Sequence, residues 1–291
     1  MAMISVVSAK SCGVTTSALA MALASTRPSL IAECDPSGGS LRFGLLRGRL
    51  PAHVGLGTLA APAREGVEAL AAAFEANLLR LDEAGDRQLL AGPTDLRQAA
   101  ALAEVWGPLT QMLELMDHQA GYHVLVDAGR LAVEGRRLHT ALSPARVLHR
   151  SDVVLLAVRS EYRSLEEAAT AVEVLREELA SEARGVEALG LLVIDSGGYA
   201  PREIGEYLKV PVLGLLPWDT RAAAFLSEGG PKPPRGLERS QLLRSARSAV
   251  DQCVELAARR RVQLQWGLPS APRSPAVACV LRRLTAGAGR E

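Results

Sequence analysis

Met3-Ile-Ser-Val-Val-Ser-Ala-Lys-Ser-Cys-Gly-Val-Thr-Thr-Ser-Ala-Leu-Ala-Met-Ala-Leu-Ala24 decides the fold of this 291-residue chain. The apolar, β-branched run from Ile4 to Val7 reads as a strand. It breaks at a loop of small residues, Ser8 to Gly13, and an alanine- and leucine-rich helix starts at about Val14. Strand, tight loop and helix in that order frame a phosphate-binding loop, in which backbone N–H groups and the positive end of the helix converge on an anion. Such loops carry a lysine just before the hydroxyl residues, where it reaches the β- and γ-phosphates. Here Gly13-Val14-Thr15-Thr16 stands in place of Gly-Lys-Thr-Thr, so the frame is present and its cation is a valine.

Outward from this stretch, Ser29 to Cys34 reads as a second strand that ends at the turn-rich Asp35-Pro36-Ser37-Gly38-Gly39-Ser40. A carboxylate just after a buried strand faces a ligand at the C-terminal edge of a parallel sheet. A plain Asp-Pro turn with a helix cap accounts for the same residues equally well. Residues 41–65, punctuated by Gly and Pro, read as loop, and Gly66 to Arg80 as helix. Gln88 to Pro93 reads as a short strand and turn, and Asp95 to His118 as a helix broken at Gly107-Pro108. Tyr122-His-Val-Leu-Val-Asp127-Ala-Gly-Arg130 is a buried strand ending in an aspartate and a glycine turn. In nucleotide triphosphatases an aspartate so placed holds Mg²⁺, directly or through water; elsewhere it is a structural cap.

Three more apolar strands follow, Asp152 to Val158, Ala188 to Ile194 and Val210 to Leu216, the last closed by Pro217-Trp218-Asp219. Helical stretches at Ser164 to Ala183 and Pro201 to Leu208 separate them. Strands apolar on both faces and alternating with helices predict an α/β fold, a mostly parallel sheet with helices on both faces. Ser227 to Arg239 reads as a flexible loop and Ser240 to Arg261 as a helix, giving one domain over 1–262 and a weakly structured tail over 263–291.

At 48% hydrophobic and 22% charged the chain has the composition of a folded soluble protein, and 3% aromatics leave the core to Leu, Val and Ala. A net charge of +1 gives no general attraction for polyanions. Cys12, Cys34, Cys253 and Cys279 form no CxxC pair and His53, His118, His123, His139 and His149 have no metal-ligand spacing, which argues against a zinc site. Met1 to Val7 is too short for a signal peptide, and no run reaches the roughly 18 to 20 apolar residues of a membrane span. The expectation is a cytoplasmic protein with reduced thiols. Arg235, Arg239, Arg244 and Arg247 make a basic stretch around the last helix, which reads as a solvated face before it reads as a DNA contact.

In order along the chain, Ser8-Ala9-Lys10 with Gly13-Val14-Thr15-Thr16, Glu33-Cys34-Asp35-Pro36-Ser37-Gly38, Val124-Leu-Val-Asp127 and Val210-Pro-Val-Leu-Gly-Leu-Leu-Pro217 with Asp219 resemble the ParA/MinD group of deviant phosphate-loop ATPases. The likeness runs over most of residues 3–250 and is nearest the actinobacterial MinD-like and CpaE/TadZ branches. It implies a SIMIBI-type fold, ATP and Mg²⁺ as cofactors, and a homodimer that engages a protein partner. It further implies that Lys10 reaches across the dimer to the partner's phosphates, and that Ser11, Cys12, Gly13, Val14, Thr15 and Thr16 wrap the triphosphate. Thr15 would ligate Mg²⁺, with Asp35 and Asp127 around the ion. Asp35 would position the attacking water, and Pro217 and Asp219 would pass beside the base.

This chain departs from the group's Lys-Gly-Gly-Val-Gly-Lys-Thr-Thr at two points. Valine replaces the second lysine, and Ser11-Cys12 stands where three residues would be. A positioned cation matters more to phosphoryl transfer than to binding. The expected function is therefore a regulatory or positioning protein that binds ATP weakly, with little or no hydrolysis, in pilus or secretion assembly, cell division or chromosome partitioning. The alternative is a nucleotide-free scaffold acting through protein contacts alone. An ATP-dependent synthetase of the same superfamily ranks last, because it needs the missing lysine.

Overall fold

The first strand, β1 (Met3–Ser8), is buried at every residue, as a run with no polar face must be. The computed structural model describes residues 1–181 and 185–264. After β1 come α1 (Val14–Ala24), β2 (Ser29–Glu33), α2 (Ser40–Phe43), α3 (Ala60–Glu65), α4 (Val67–Ala76), β3 (Leu78–Arg80) and β4 (Arg87–Leu90). The middle of the chain gives α5 (Ala99–His118), β5 (His123–Arg130), the short hairpin β6 (Val133–Glu134) and β7 (Arg137–Leu138), α6 (Ala145–Arg150), β8 (Val153–Arg159) and α7 (Tyr162–Ser181). It closes with β9 (Leu189–Asp195), α8 (Pro201–Leu208), β10 (Val212–Pro217), α9 (Thr220–Glu228) and α10 (Gln241–Leu264).

Eight strands form one sheet in the order β10-β9-β8-β1-β5-β2-β4-β3, parallel throughout except for β3, which runs antiparallel to β4 at the edge. β1 lies at the centre between β5 and β8, so the loop that follows it opens at the middle of the sheet's C-terminal edge. Each face carries its own core. Ile4, Val6 and Leu125 pack with α1, α9 and α10 on one side. Met3, Val7, Val124 and Val126 pack with α4, α5 and α7 on the other, around the fully buried Trp106, Phe74 and Tyr122. The α/β architecture expected from the pattern is the one observed.

Several boundaries differ from the sequence reading, each for a local reason. Residues 41–65 hold α3 and most of α2 rather than loop alone. The helix expected over 66–80 stops at Ala76. Buried Asn77 there takes the Gly55 amide at 2.6 Å and donates to the Ala73 carbonyl, and Leu78 to Arg80 turn to pair with β4. α5 is not broken at Gly107-Pro108; it carries Pro108 inside, with the Thr110 hydroxyl on the Trp106 carbonyl at 2.5 Å. Ser227 and Glu228, expected in loop, complete α9. The Ala183 end expected for α7, and the tail expected beyond α10, lie outside the described residues.

Candidate phosphate-binding site

The loop from Ala9 to Gly13 turns into α1 through Gly13 at φ 77°, a left-handed conformation that glycine adopts without a Cβ penalty. No side chain caps the helix, and its first backbone bond is Ser17 N–H to the Gly13 carbonyl at 2.9 Å. The amides of Val14, Thr15 and Thr16 precede that bond and are the natural donors to an anion. They border a cavity of about 330 Å³ lined by the Ser11–Thr16 loop, Ser8, Asp35, Ser40, Leu41, Gly129, Arg130, Leu226 and Ser227.

The carboxylates sit where the strand ends put them. Glu33 and Asp127 are register partners on β2 and β5. Glu33 is fully buried, accepting the Leu41 amide at 2.9 Å and the Gly92 amide at 2.7 Å; burial raises its pKa in spite of those bonds. It ties β2 to α2 and to the loop after β4, a role that the sequence reading did not assign. Asp35 accepts the Ser37 amide at 2.8 Å and packs on Gly129, where a Cβ would come within 2.2 Å of its carboxyl carbon. Asp127 has no exposed surface. Its Oδ1 accepts the Gly129 amide at 3.0 Å, and its Oδ2 has no hydrogen-bond partner among the described residues. Burial drives its pKa up to about 7; the nearby Thr15 hydroxyl pulls against that, and the negative charges of Glu33 and Asp35 add to it.

An orphaned carboxylate oxygen at the base of a phosphate-loop frame, beside a threonine hydroxyl, fits a Mg²⁺–phosphate group. Magnesium takes few protein ligands and completes its shell with water and phosphate. Among the described residues no group of three or more His, Cys, Asp or Glu is arranged to hold a metal by itself. Ser8, 1% exposed and also without a side-chain partner, adds a second unsatisfied oxygen at the cavity wall.

Of the residues expected at the site, the cavity wall brings together Ser11, Cys12, Gly13, Val14, Thr15, Thr16 and Asp35, with Asp127 beneath it. Val14 is 6% exposed and joins the apolar core on the α1 side of the sheet. The Cys12 thiol is buried, 3.7 Å from the Ser164 hydroxyl. Lys10 is not in the lining; its ammonium pairs with Glu167 of α7 at 2.9 Å. Pro217 and Asp219 are not in the lining either: Pro217 ends β10, and Asp219 caps α9 by accepting the Ala222 amide at 3.0 Å. Trp218 between them lies under the Arg159 guanidinium, 5.2 Å from the ring centre. Thr16 shares a 2.9 Å hydrogen bond with Ser227, so the end of α9 sits against the loop, a contact across 211 residues that no local pattern signals. All four arginines in the basic stretch are exposed, and Arg247 also donates to the Ala24 carbonyl at the end of α1.

No protein-family model and no curated protein matches this chain. Solved structures do. The septum site-determining protein MinD of Pyrococcus horikoshii, solved with Mg-ADP, superposes with a TM-score of 0.63 at 16% identity over 89% of this chain and 99% of that one. This is the ParA/MinD fold. A ParA family ATPase from Chlorobium tepidum matches with a TM-score of 0.59 at 14% identity, over 87% of this chain and 97% of the other. MinD of Aquifex aeolicus matches at 0.57 and 16% identity, over 93% and 100%. The ParA/MinD-like sheet places the loop, Asp35 and Asp127 together at one edge. Among the described residues no helix is long and apolar enough to cross a membrane.

Proposed function

We propose that this chain is a ParA/MinD-like regulatory or positioning protein that binds ATP with Mg²⁺ weakly, hydrolyses it little or not at all, and dimerises to engage a protein partner. The observation that carries this reading is the cavity bordered by the open N-terminus of α1 and Thr15, with the orphaned Asp127 oxygen buried beneath it and Val14 packed into the core. Thr15 and Asp127 would hold the ion, with Asp35 beside it. Bound Mg²⁺ would neutralise phosphate charge. The loop amides would orient the phosphates, and Asp35 would hold a water. Without a lysine from the loop, the charge that builds during transfer is left less stabilised than the bound ground state. The solved relatives include a MinC:MinD complex of Aquifex aeolicus, which supports a protein partner for this fold. Division, partitioning and pilus assembly remain the candidate processes.

The nucleotide-free scaffold is favoured by one observation, the Ser227 hydroxyl bonded to Thr16 at the cavity. Calorimetric titration of the full chain with ATP and Mg²⁺ separates the two. Saturable heat with a raised melting temperature is expected; no heat and no stabilisation at millimolar ATP would overturn nucleotide binding in favour of the scaffold.

A further inference from the structure

We infer that Arg130 supplies, from the β5 side of the cavity, the positive charge that Val14 withholds from the phosphates. The inference rests on the nucleotide reading of the same site. Its basis is a register shift. β1 and β5 pair Val6 with Asp127 and then Ser8 with Arg130, so two steps along β1 match three along β5. The extra residue is a β-bulge at Ala128-Gly129, with Gly129 at φ 64°. Bulges re-aim the side chains that follow them.

The consequence follows from alternation. Val124, Val126 and Ala128 face the core on the α5 side, and Leu125 faces the core on the α1 side. Unbroken alternation would send Arg130 with the even-numbered set, away from the loop. The bulge instead puts it in register with Ser8, on the face shared by Ile4, Val6 and α1. The Leu131 amide holds that position by donating to the Ser8 carbonyl at 2.9 Å. Gly129 cannot take a side chain without striking Asp35, which keeps the bulge in place.

Arg130 is the one cation among the residues that line the cavity. It is exposed, and its guanidinium has no hydrogen bond or ion pair among the described residues. The other basic residue near the loop, Lys10, is held by Glu167. Across from Arg130 stands the Ser8 hydroxyl, 1% exposed and unpartnered, so the wall already carries a second group aimed at a ligand. A guanidinium binds phosphate oxygens through two parallel N–H donors and keeps its charge at any working pH.

The test is Mg-ATP titrated into the full-length wild type, Arg130→Ala, Arg130→Lys and the pairs of these with Val14→Lys. Arg130→Ala is expected to weaken Mg-ATP by roughly tenfold or more and to flatten the fall of affinity with salt, as loss of a charged phosphate contact should. Arg130→Lys, which keeps the charge but not the paired donors, should lose less than Arg130→Ala. The unligated melting temperature should not move, because the side chain is exposed and unpaired. In the Val14→Lys background, the loss from Arg130→Ala should shrink, since a second cation then serves the same phosphates. Wild-type affinity in Arg130→Ala, or an undiminished loss beside Lys at position 14, would overturn the role of Arg130 and leave nucleotide binding standing. Failure of the wild type itself to bind Mg-ATP would overturn both.

Discussion

At the scale of residues, Asp127 concentrates the electrostatics of the site. A carboxyl with no exposed surface and one orphaned oxygen holds its proton up to about pH 7. Its folded pKa lies above its unfolded value, so between about pH 4 and 7 the native state binds the proton that the unfolded state has released. Its contribution to stability therefore falls as pH rises through that window and is flat above it. His123 runs the other way: burial lowers its pKa to about 4, so the stability it contributes is lost as pH falls from about 6.5 toward 4. Asp127→Asn isolates the first effect, because the amide does not titrate. Its stability relative to wild type, from urea unfolding at a series of pH values, should rise between pH 4 and 7 to on the order of a few kcal/mol and then level off. A constant difference would mean that Asp127 is ionised throughout. The same substitution should weaken the dependence of ATP affinity on Mg²⁺. That Asp127 lies on a buried strand was legible in the sequence, although β5 runs on to Arg130 where a glycine turn was expected; that its second oxygen has no partner was not, because orphaning depends on what β1, β2 and α1 leave around it.

At the scale of elements, the end of α9 closes one side of the site. Gly44, at the end of α2, lies so near the Ser227 carbonyl that a Cβ would come within 1.9 Å. The obstacle is backbone, so Gly44→Ala must push α9 away. The expected cost is about 1–3 kcal/mol in chemical denaturation, the range for overpacking. The same push should part Thr16 from Ser227, and limited proteolysis near residues 227–239 should quicken. Lys10 makes a contrasting case. Its pair with Glu167 is exposed, and such pairs contribute little to stability. Lys10→Ala should leave the melting temperature unchanged, yet light scattering should show any ATP-dependent dimer shifted to monomer. An unchanged dimer would mean that Lys10 serves only its own chain. The strands of the sheet could be read from apolar runs. α9 could not: the sequence reading assigns no element to residues 220–226 and puts Ser227 and Glu228 in loop on the Gly and Pro residues that follow them.

At the scale of the whole molecule, α10 is fastened to the sheet by charge as well as by packing. Arg261 bridges Asp117 at the end of α5 and Asp152 at the start of β8, both almost fully buried, and Asp152 also accepts the Met3 amide at 3.0 Å. Removing one partner of a buried charge cluster is strongly destabilising, so Arg261→Met should cost about 3–5 kcal/mol. The loss should shrink in acid as the two carboxyls protonate, with equilibrium unfolding at pH 7 and pH 4 as the comparison. A loss that does not depend on pH would point to lost packing of the arginine stem instead. These three residues are far apart in the chain, and each alone looks like a solvated charge.

The sequence by itself determined the α/β architecture, the phosphate-loop frame and the absence of its lysine, because strand runs, glycine turns and helix onsets are local patterns that neighbouring residues impose. It also placed Asp35 and Asp127 on strand ends, where a parallel sheet brings ligand-facing residues to one edge. Only the tertiary structure decided which side chains reach the cavity. Lys10 turns to Glu167, Asp219 to its own helix, and Ser227 and Arg130 toward the loop. The physical reason is that a side chain's direction depends on register. One extra residue in β5 moves Arg130 to the other face of the sheet, and that residue is visible only when β5 lies paired with β1.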